Sequence, residues 1–207
     1  MKEITSDLRT EILLSDDGTK RYSLRKVWDS SKPSLAIIML APSQAGEIAL
    51  DTSSMLTINN CHRLGKGSVT IVNLFSKIND FALKEADTED PENIRAIVAA
   101  AESADCVVLA AGTGKAKNKT FQQRLEQVLT ALRPYEAKLH CLCDEKGGIQ
   151  QLETIYQMGE DDKQASETWR KGPQEGRLGG IHRLHFLSPK VLLFEFGSPK
   201  IYAFSFL

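Results

Sequence analysis

The stretch SLAIIMLAPSQAG, residues 34–46, is an apolar run that stops abruptly at a proline-containing polar loop. The apolar part is short and is bounded by turn residues, which is typical of a strand buried on both faces of a sheet. Three later segments repeat the order of apolar strand, polar loop and amphipathic helix. We therefore expect the loops that follow these strands to gather at one edge of a parallel sheet.

The alternation of strands and helices predicts an α/β fold of three layers, α/β/α, around a four-stranded parallel sheet in the spatial order 2-1-3-4. The three strands after the first are predicted over residues 68–74, 105–109 and 138–143. Two runs, residues 10–14 and 21–28, predict a hairpin before this core, and the alternating residues 182–207 predict two or three strands after it. Antiparallel strands are thus expected from both termini.

Capping signals mark the start of each predicted helix. The predicted starts are Ser53 or Ser54 for the helix over residues 52–64, Asp90 with Pro91 for the second helix, and a capping box at residues 120–123 for the third. Asp51, directly before the first helix, is either a cap itself or a carboxylate that faces the ligand edge. These helices supply the crossovers that parallel strands require.

The composition is that of one globular domain without a membrane partner. Of the 207 residues 26% are charged, and the formal net charge is −1, so no global field attracts nucleic acid or an anionic membrane. The four cysteines lie mostly in apolar segments, as reduced cysteines of cytoplasmic proteins do. Neither a signal-peptide core nor a run of about 20 apolar residues occurs. We expect a cytoplasmic protein whose single domain, residues 1–207, comprises an α/β core at 20–148 and an extension of a helix and a β-hairpin at 149–207.

The loops at the carboxyl ends of the predicted strands carry the candidate binding residues. In open parallel sheets ligands bind beyond these ends, where the strand order reverses. Hydroxyl, amide, ammonium and backbone N–H groups follow the strands here, and such groups converge in ligand sites. The candidate ligand-binding residues are Pro42, Ser43, Gln44, Asp51, Thr52, Asn73, Phe75, Gly112 and Lys115. The alternative is that each of them only makes a turn or lies in solvent.

Known catalytic and metal-binding signatures do not occur in the sequence. The segment from Gly112 to Lys115 lacks the glycine five positions before its Gly-Lys pair and the Ser or Thr after it, so it is not a Walker loop. His140, Cys141 and Cys143 do not follow a zinc spacing. We therefore expect no metal and no cofactor, and the sequence assigns no catalytic residue.

Several short motifs recur in the order found in one known family. They are RYSLRKVW at 21–28, LAPS at 40–43, DT at 51–52, VNLF at 72–75, AG at 111–112 and LHCLC at 139–143. Over about residues 20–148 the chain resembles a bacterial family known only as domain of unknown function 1643. That family typically has Leu-Asn-Pro-Ser after its first strand and Trp-Gly after its third, where this chain has Ala41 and Ala111. Its Gly-x-Pro-x-His-Pro segment is missing from the corresponding residues 147–152.

More distantly, the chain resembles the uracil-DNA glycosylase-like architecture, with a proline loop after the first of four parallel strands. Glycosylases of that kind place an Asp or Asn in the first loop and a His in the last. Here Ala41 occupies the first place and no histidine occupies the second. The resemblance therefore implies a base-sized pocket without base excision by that route.

Three functions remain open from the sequence. The first is a site for a nucleobase, a nucleotide or a similar small polar ligand at the carboxyl edge. The second is a nucleic-acid-binding module of glycosylase-like ancestry, with a basic patch made of Arg21, Arg25, Lys117 and Lys119. The third is a protein-interaction domain with a degenerate site, whose C-terminal strands form a pairing edge. The near-neutral net charge favours the first over the second.

Overall fold

The apolar run forms the strand in the middle of the parallel core in a computed structural model of the protein. The structure describes residues 1–80, 82–84, 88–112, 115 and 118–143, with side chains up to residue 140, and the backbone of three strands beyond residue 179. The strands are β1 (Arg9–Leu14), β2 (Arg21–Val27), β3 (Ser34–Met39), β4 (Ser68–Asn73), β5 (Cys106–Leu109), β6 (Leu139–Cys143), β7 (Gly180–Ser188), β8 (Val191–Phe194) and β9 (Tyr202–Ser205). The helices are α1 (Thr52–Arg63), α2 (Pro91–Ser103), α3 (Lys119–Ala131) and a 3₁₀ helix (Arg133–Lys138).

The strands form one mixed sheet in the order β1-β2-β4-β3-β5-β6-β7-β8-β9. β3 runs parallel to both β4 and β5, and β5 runs parallel to β6. Numbered in chain order, these four parallel strands lie 2-1-3-4. Antiparallel strands extend the sheet on both sides, β1 and β2 beside β4, and β7 to β9 beside β6. The predicted α/β class is confirmed.

Side chains of the core strands alternate between two apolar clusters on opposite faces of the sheet. Leu35 and Ile37 of β3 belong to a cluster with residues of α1, on what we call the α1 face. Ala36 and Ile38 belong to a cluster with residues of α2 and α3, on the α2/α3 face. This period of two explains why residues 35–38 are all apolar, because each face is covered by helices. A fully buried Leu or Ile contributes about 1.5–3 kcal/mol of hydrophobic stabilisation.

The helix caps agree with the sequence for α2, match one of the predicted alternatives for α1 and differ from the prediction for α3. Asp90 caps α2 by accepting a hydrogen bond from the Asn93 amide, with Pro91 in the first turn, as predicted. Asp51, not Ser53 or Ser54, caps α1. Asn118 caps α3 through the amide of Phe121, so the capping box predicted at residues 120–123 is wrong. An Asn or Asp one residue before a helix accepts this bond as readily as Ser or Thr, and sequence spacing alone does not choose between them.

Some predictions concern residues that the structure does not describe. The helix expected within the extension at 149–207 and Lys117 lie outside the described residues. Among the helices that the structure does describe, none is long and apolar enough to cross a membrane.

Candidate functional site

The carboxyl end of β4 is irregular on the side that faces β2. The ladder pairs Leu24 with Ile71, and the next bridge pairs Lys20 with Lys77. Three residues, 21–23, lie between these pairs on one chain and five, 72–76, on the other, so the β4 chain bulges by two residues. On its other side the same segment stays paired with the chain of β3, because the amides of residues 74 and 75 donate to carbonyls there at 2.8 and 3.0 Å. Bulges of this kind are common beside functional sites.

Side chains from α2 and α3 bind the carbonyl groups of this bulge. The Asn93 amide nitrogen donates to the carbonyls of Asn73 and Leu74 at 3.0 and 3.1 Å. The Arg124 Nε donates to the Leu74 carbonyl at 2.7 Å, and its other nitrogens reach the carbonyls of Thr88 and Asp90 at 2.9 and 3.4 Å. Asn93 and Arg124 are almost fully buried. They supply the donors that the interrupted β2–β4 ladder does not.

Asp90 connects this network to the N-terminal hairpin. Its carboxylate accepts from Lys20 Nζ at 2.9 Å, from the Ser76 hydroxyl at 2.6 Å and from the Asn93 amide N–H at 3.1 Å. Burial alone raises the pKa of Asp90, but these three hydrogen bonds together hold it below its ordinary value. We call Lys20, Ser76, Asp90, Asn93 and Arg124 the buried network. Since most of its polar atoms are paired, it locks the β4 bulge against the two helices.

The Asn73 side chain differs from this network in having no partner. Val69 and Ile71 of β4 lie on the α1 face, whereas Val72 and Leu74 lie on the α2/α3 face, so alternation directs Asn73 toward the α1 face. Asn73 is 1% exposed. Neither its Oδ1 nor its Nδ2 has a hydrogen-bond partner among the residues that the structure describes. A buried polar group without a partner costs about 1–3 kcal/mol, so a strand end that retains this amide calls for an explanation.

The loop at residues 43–51 covers the same end of the sheet. The Ser43 hydroxyl donates to the Asp51 carboxylate and accepts from the Ala45 amide at 3.2 Å. The second oxygen of Asp51 accepts from the Ser54 amide at 2.6 Å and so caps α1. Ala45 itself packs into the apolar cluster of the α1 face. One carboxylate thus fixes both ends of the loop and the start of the helix.

Two buried cations from β2 anchor the carbonyl groups of this loop. Arg21 Nη1 donates to the Ala45 carbonyl at 2.6 Å, and Lys26 Nζ donates to the Glu47 carbonyl at 2.5 Å and to the Thr10 hydroxyl at 2.7 Å. Arg21 and Lys26 are 3% and 1% exposed. Burial lowers the pKa of both groups, and the Asp51 carboxylate opposes this effect at Arg21. The loop is therefore held in place from the hairpin as well as by its own contacts.

The structure brings Ser43 and Asp51 into contact, places Asn73 at the same end of the sheet and disperses the other predicted residues. The remaining predicted residues have other placements: Pro42 is buried, Gln44 and Thr52 are exposed, Phe75 packs in the apolar cluster of the α2/α3 face, Gly112 has a φ of 74°, and Lys115 is exposed before α3. Gly112 and Lys115 follow β5, which is separated from β4 by β3.

The candidate basic residues do not form one surface patch. Arg21 is buried, and Arg25 pairs with Glu11 at 2.9 Å on the hairpin. Lys119 is exposed at the start of α3, which follows β5. Because β4 and β3 lie between β2 and β5, about 14 Å separates the two strands that carry these residues.

Lys26, Asn93 and Arg124 were not predicted as site residues, whereas Arg21 was predicted in a basic patch and Asp90 only as a helix cap. A signal for Arg124 was present, since it lies three residues after Phe121 and four before Val128 on the buried face of α3. Lys26 has a weaker signal, since the buried Leu24 lies two residues before it on the same face of β2, but its neighbour Arg25 is charged. Within the described part of the chain, no group of three or more potential ligands for a metal ion occurs. The His140 Nδ1 instead lies 2.8 Å from the Lys138 carbonyl.

Fold and site together define an α/β protein with a cluster of buried polar side chains at the carboxyl edge of a mixed sheet. Comparison with known proteins gives the family. The chain belongs to the family described as protein of unknown function (DUF1643), whose model matches residues 21–151. No curated protein and no solved structure matches the chain significantly.

Proposed function

We propose that the carboxyl edge of the sheet binds a nucleobase, a nucleotide or a similar small polar ligand. The observation that carries the proposal is the Asn73 side chain, which is 1% exposed and has no hydrogen-bond partner among the described residues. A carboxamide offers one acceptor and two donors side by side. Nucleobase edges present a donor next to an acceptor, and Asn binds such edges with two hydrogen bonds.

The surroundings of Asn73 support a small ligand. Ser43 and Asp51 place a hydroxyl and a carboxylate at the same end of the sheet, on a loop anchored by Arg21 and Lys26. An anchored loop binds with little loss of conformational entropy, which favours affinity for a small molecule. The proposal is for binding, and it assigns no reaction.

The proposal retains the three-layer, uracil-DNA glycosylase-like arrangement as its structural frame. Ala41 stands where such glycosylases place an Asp or Asn, so base excision by their route is not part of the proposal. The alternative of a nucleic-acid-binding module has less support. Arg21 is buried and Arg25 is paired with Glu11, so two of its four cations are unavailable to phosphates.

A thermal-shift screen tests the proposal directly. The purified full chain is heated with nucleobases, nucleosides, nucleotides, short single-stranded DNA and divalent metals. A ligand that binds only the folded state at 100 times its dissociation constant adds about 2.7 kcal/mol of stability, which raises Tm by about 5 °C or more. We expect such a shift with at least one nucleobase or nucleoside and none with the metals.

A double variant then links the shift to the site. Joint Ser43→Ala and Asn73→Ala substitution should abolish the ligand-induced shift, while Ile48→Ala, on the same loop but 92% exposed, should keep it. Calorimetric titration of all three proteins gives the affinities. Binding of the double variant at near wild-type affinity, or the lack of any shift across the screen, would contradict the proposal.

A further inference from the structure

A second buried polar group near Asn73 also lacks a partner. Arg21 Nε has no hydrogen-bond partner among the described residues, although Nη1 of the same guanidinium binds the Ala45 carbonyl at 2.6 Å. The guanidinium nitrogens form a rigid, planar set of donors. With Nη1 fixed on the loop, the edge that carries Nε is the part of this group that a ligand acceptor would meet.

Arg21 and Asn73 lie in the same neighbourhood. The Arg21 amide donates to the Ser76 carbonyl at 2.9 Å, three residues beyond Asn73 on the bulged chain. Ala45, which the guanidinium binds, packs in the apolar cluster of the α1 face together with Ile71. Asn73 is the next residue of β4 on that face. Two buried polar groups without partners among the described residues, the Asn73 amide and Arg21 Nε, thus lie near the end of β4.

A carboxylate already acts on the charge of Arg21. Asp51 favours the charged guanidinium electrostatically, and its carboxylate lies on the same anchored loop. An additional anion beside Arg21 would be repelled by this carboxylate in a buried site, which costs free energy. A neutral acceptor, such as a carbonyl oxygen, accepts the Nε hydrogen bond without that cost.

We infer that Arg21 is a second recognition residue of this site and that its Nε binds a neutral oxo group of the ligand. The inference rests on the proposed function and names the ligand class within it: an uncharged planar heterocycle with one amide-like edge for Asn73 and a further oxo group for Arg21. A phosphate, where the ligand carries one, lies outside this pair.

Arg21 distinguishes ligands that carry the additional oxo group from those that lack it, whereas Asn73 does not. A carboxamide without fixed partners can rotate by half a turn and exchange its donor and acceptor, so it accepts either order of groups on a base edge. A guanidinium only donates. Removal of the oxo group that faces Nε therefore leaves a buried donor unpaired, and a lost hydrogen bond of this kind corresponds to about a tenfold loss of affinity.

Two pairs of probes vary that oxo group. Uracil and pyrimidin-4-one, and xanthine and hypoxanthine, differ by the oxygen on C2 and by the ring nitrogen beside it, which changes from a donor to an acceptor when that oxygen is absent. Both members of each pair keep the amide-like edge, and the Arg21 variant below separates the oxygen from the nitrogen. Affinities are measured by calorimetry in slightly acidic buffer, where xanthine is uncharged. We expect the dioxo member of the pair whose ring size fits to bind about tenfold more tightly to the wild-type chain.

Arg21→Lys is the decisive variant. A lysine keeps the charge beside Asp51 and a donor for the loop but removes Nε, so we expect the preference for the dioxo probe to fall to less than about threefold. Lys26→Met is the matched control, because it removes the other cation that anchors the loop and leaves Arg21 intact. It should weaken both members of a pair by a similar factor and keep their ratio.

The possible outcomes separate the two proposals. If none of the four probes binds the wild-type chain, the proposed function fails for free bases, and this inference fails with it. If a pair binds without preference, or Arg21→Lys keeps the wild-type ratio, Arg21 is a loop anchor only and the proposed function stands. If Lys26→Met also loses the preference for the dioxo probe, that preference depends on the position of the loop and not on Arg21 Nε.

Discussion

Two buried asparagines near the end of β4 differ in the hydrogen bonding of their side chains. Asn93 lies on α2 and donates to two carbonyls of the β4 bulge, within a network that also holds Asp90 and Arg124. Asn73 lies in β4, and its side-chain amide has no partner among the described residues. The Asn93 side chain thus uses its donor within the fold and leaves only its Oδ1 unpaired among the described residues, whereas the Asn73 side chain leaves both its donor and its acceptor unused. The difference separates groups that build the fold from groups available to a ligand.

The strongest test of this contrast removes the centre of the buried network. Arg124→Met keeps an apolar, unbranched stem but removes one donor each from the carbonyls of Leu74, Thr88 and Asp90. The Leu74 carbonyl keeps the Asn93 amide as a donor, and the Asp90 carbonyl keeps the Ile94 N–H. We expect a loss of about 4 kcal/mol in the free energy of unfolding. Urea denaturation followed by circular dichroism measures it. A loss below about 1 kcal/mol would mean that the network does not hold the bulge.

The second test addresses Asn93 alone. Asn93→Leu removes a donor that serves two carbonyls, although it also removes an Oδ1 that has no partner among the described residues. Because the two effects oppose each other, we expect a net destabilisation of about 2 kcal/mol, measured by the same denaturation. A more stable variant would refute the structural role assigned to this residue.

The third test predicts the opposite sign for Asn73. Asn73→Val replaces an unpaired buried amide by an apolar, β-branched side chain that suits a strand, so we expect the protein without ligand to become more stable by about 1 kcal/mol. The same change should abolish the thermal shift caused by nucleobases. Thermal melts with and without ligand measure both effects. Destabilisation comparable to that of Asn93→Leu would place Asn73 among the structural groups.

The smallest expected effect is on the pH dependence of stability. The folded state lowers the pKa of Asp90, so its contribution to stability is complete above the unfolded value of about 3.9 and is lost as pH falls through the lower folded value. Asp90→Asn should therefore be less stable than the wild type at neutral pH and flatten the acid limb of the stability curve below about pH 4. Asp80→Asn, with the same change in charge, is the control. Parallel acid limbs for Asp90→Asn and the wild type would contradict the assignment.

The sequence predicted the α/β class because apolar runs and amphipathic helices leave strong periodic signals. Residues 35–38 are apolar without interruption since helices cover both faces of β3, and Asp90 with Pro91 marks α2 unambiguously. The same reasoning identified Ser43, Asp51 and Asn73 as residues at strand ends. Their use as ligand contacts stays a prediction.

Other features depend on tertiary contacts that leave no local pattern. The two-residue bulge after Ile71 arises from the register between β2 and β4, and a single chain segment does not encode that register visibly. Arg21 was predicted as part of an exposed basic patch, yet it is 3% exposed because the loop carbonyl of Ala45 and the charge of Asp51 compensate it. Burial of a cation is decided by such partners, not by its neighbours in sequence.

The residues that hold the anchored loop in place include some that precede the segment matched by the family model. The family match begins at Arg21, whereas Lys26 shares its ammonium between the loop and Thr10 of β1, and Lys20 binds Asp90. A chain cut at the family boundary would retain every residue that faces the proposed ligand and still lose part of what keeps them in position. The segment needed to hold the site in place is therefore longer at its N-terminal end than the segment that the family model matches, and it begins no later than β1.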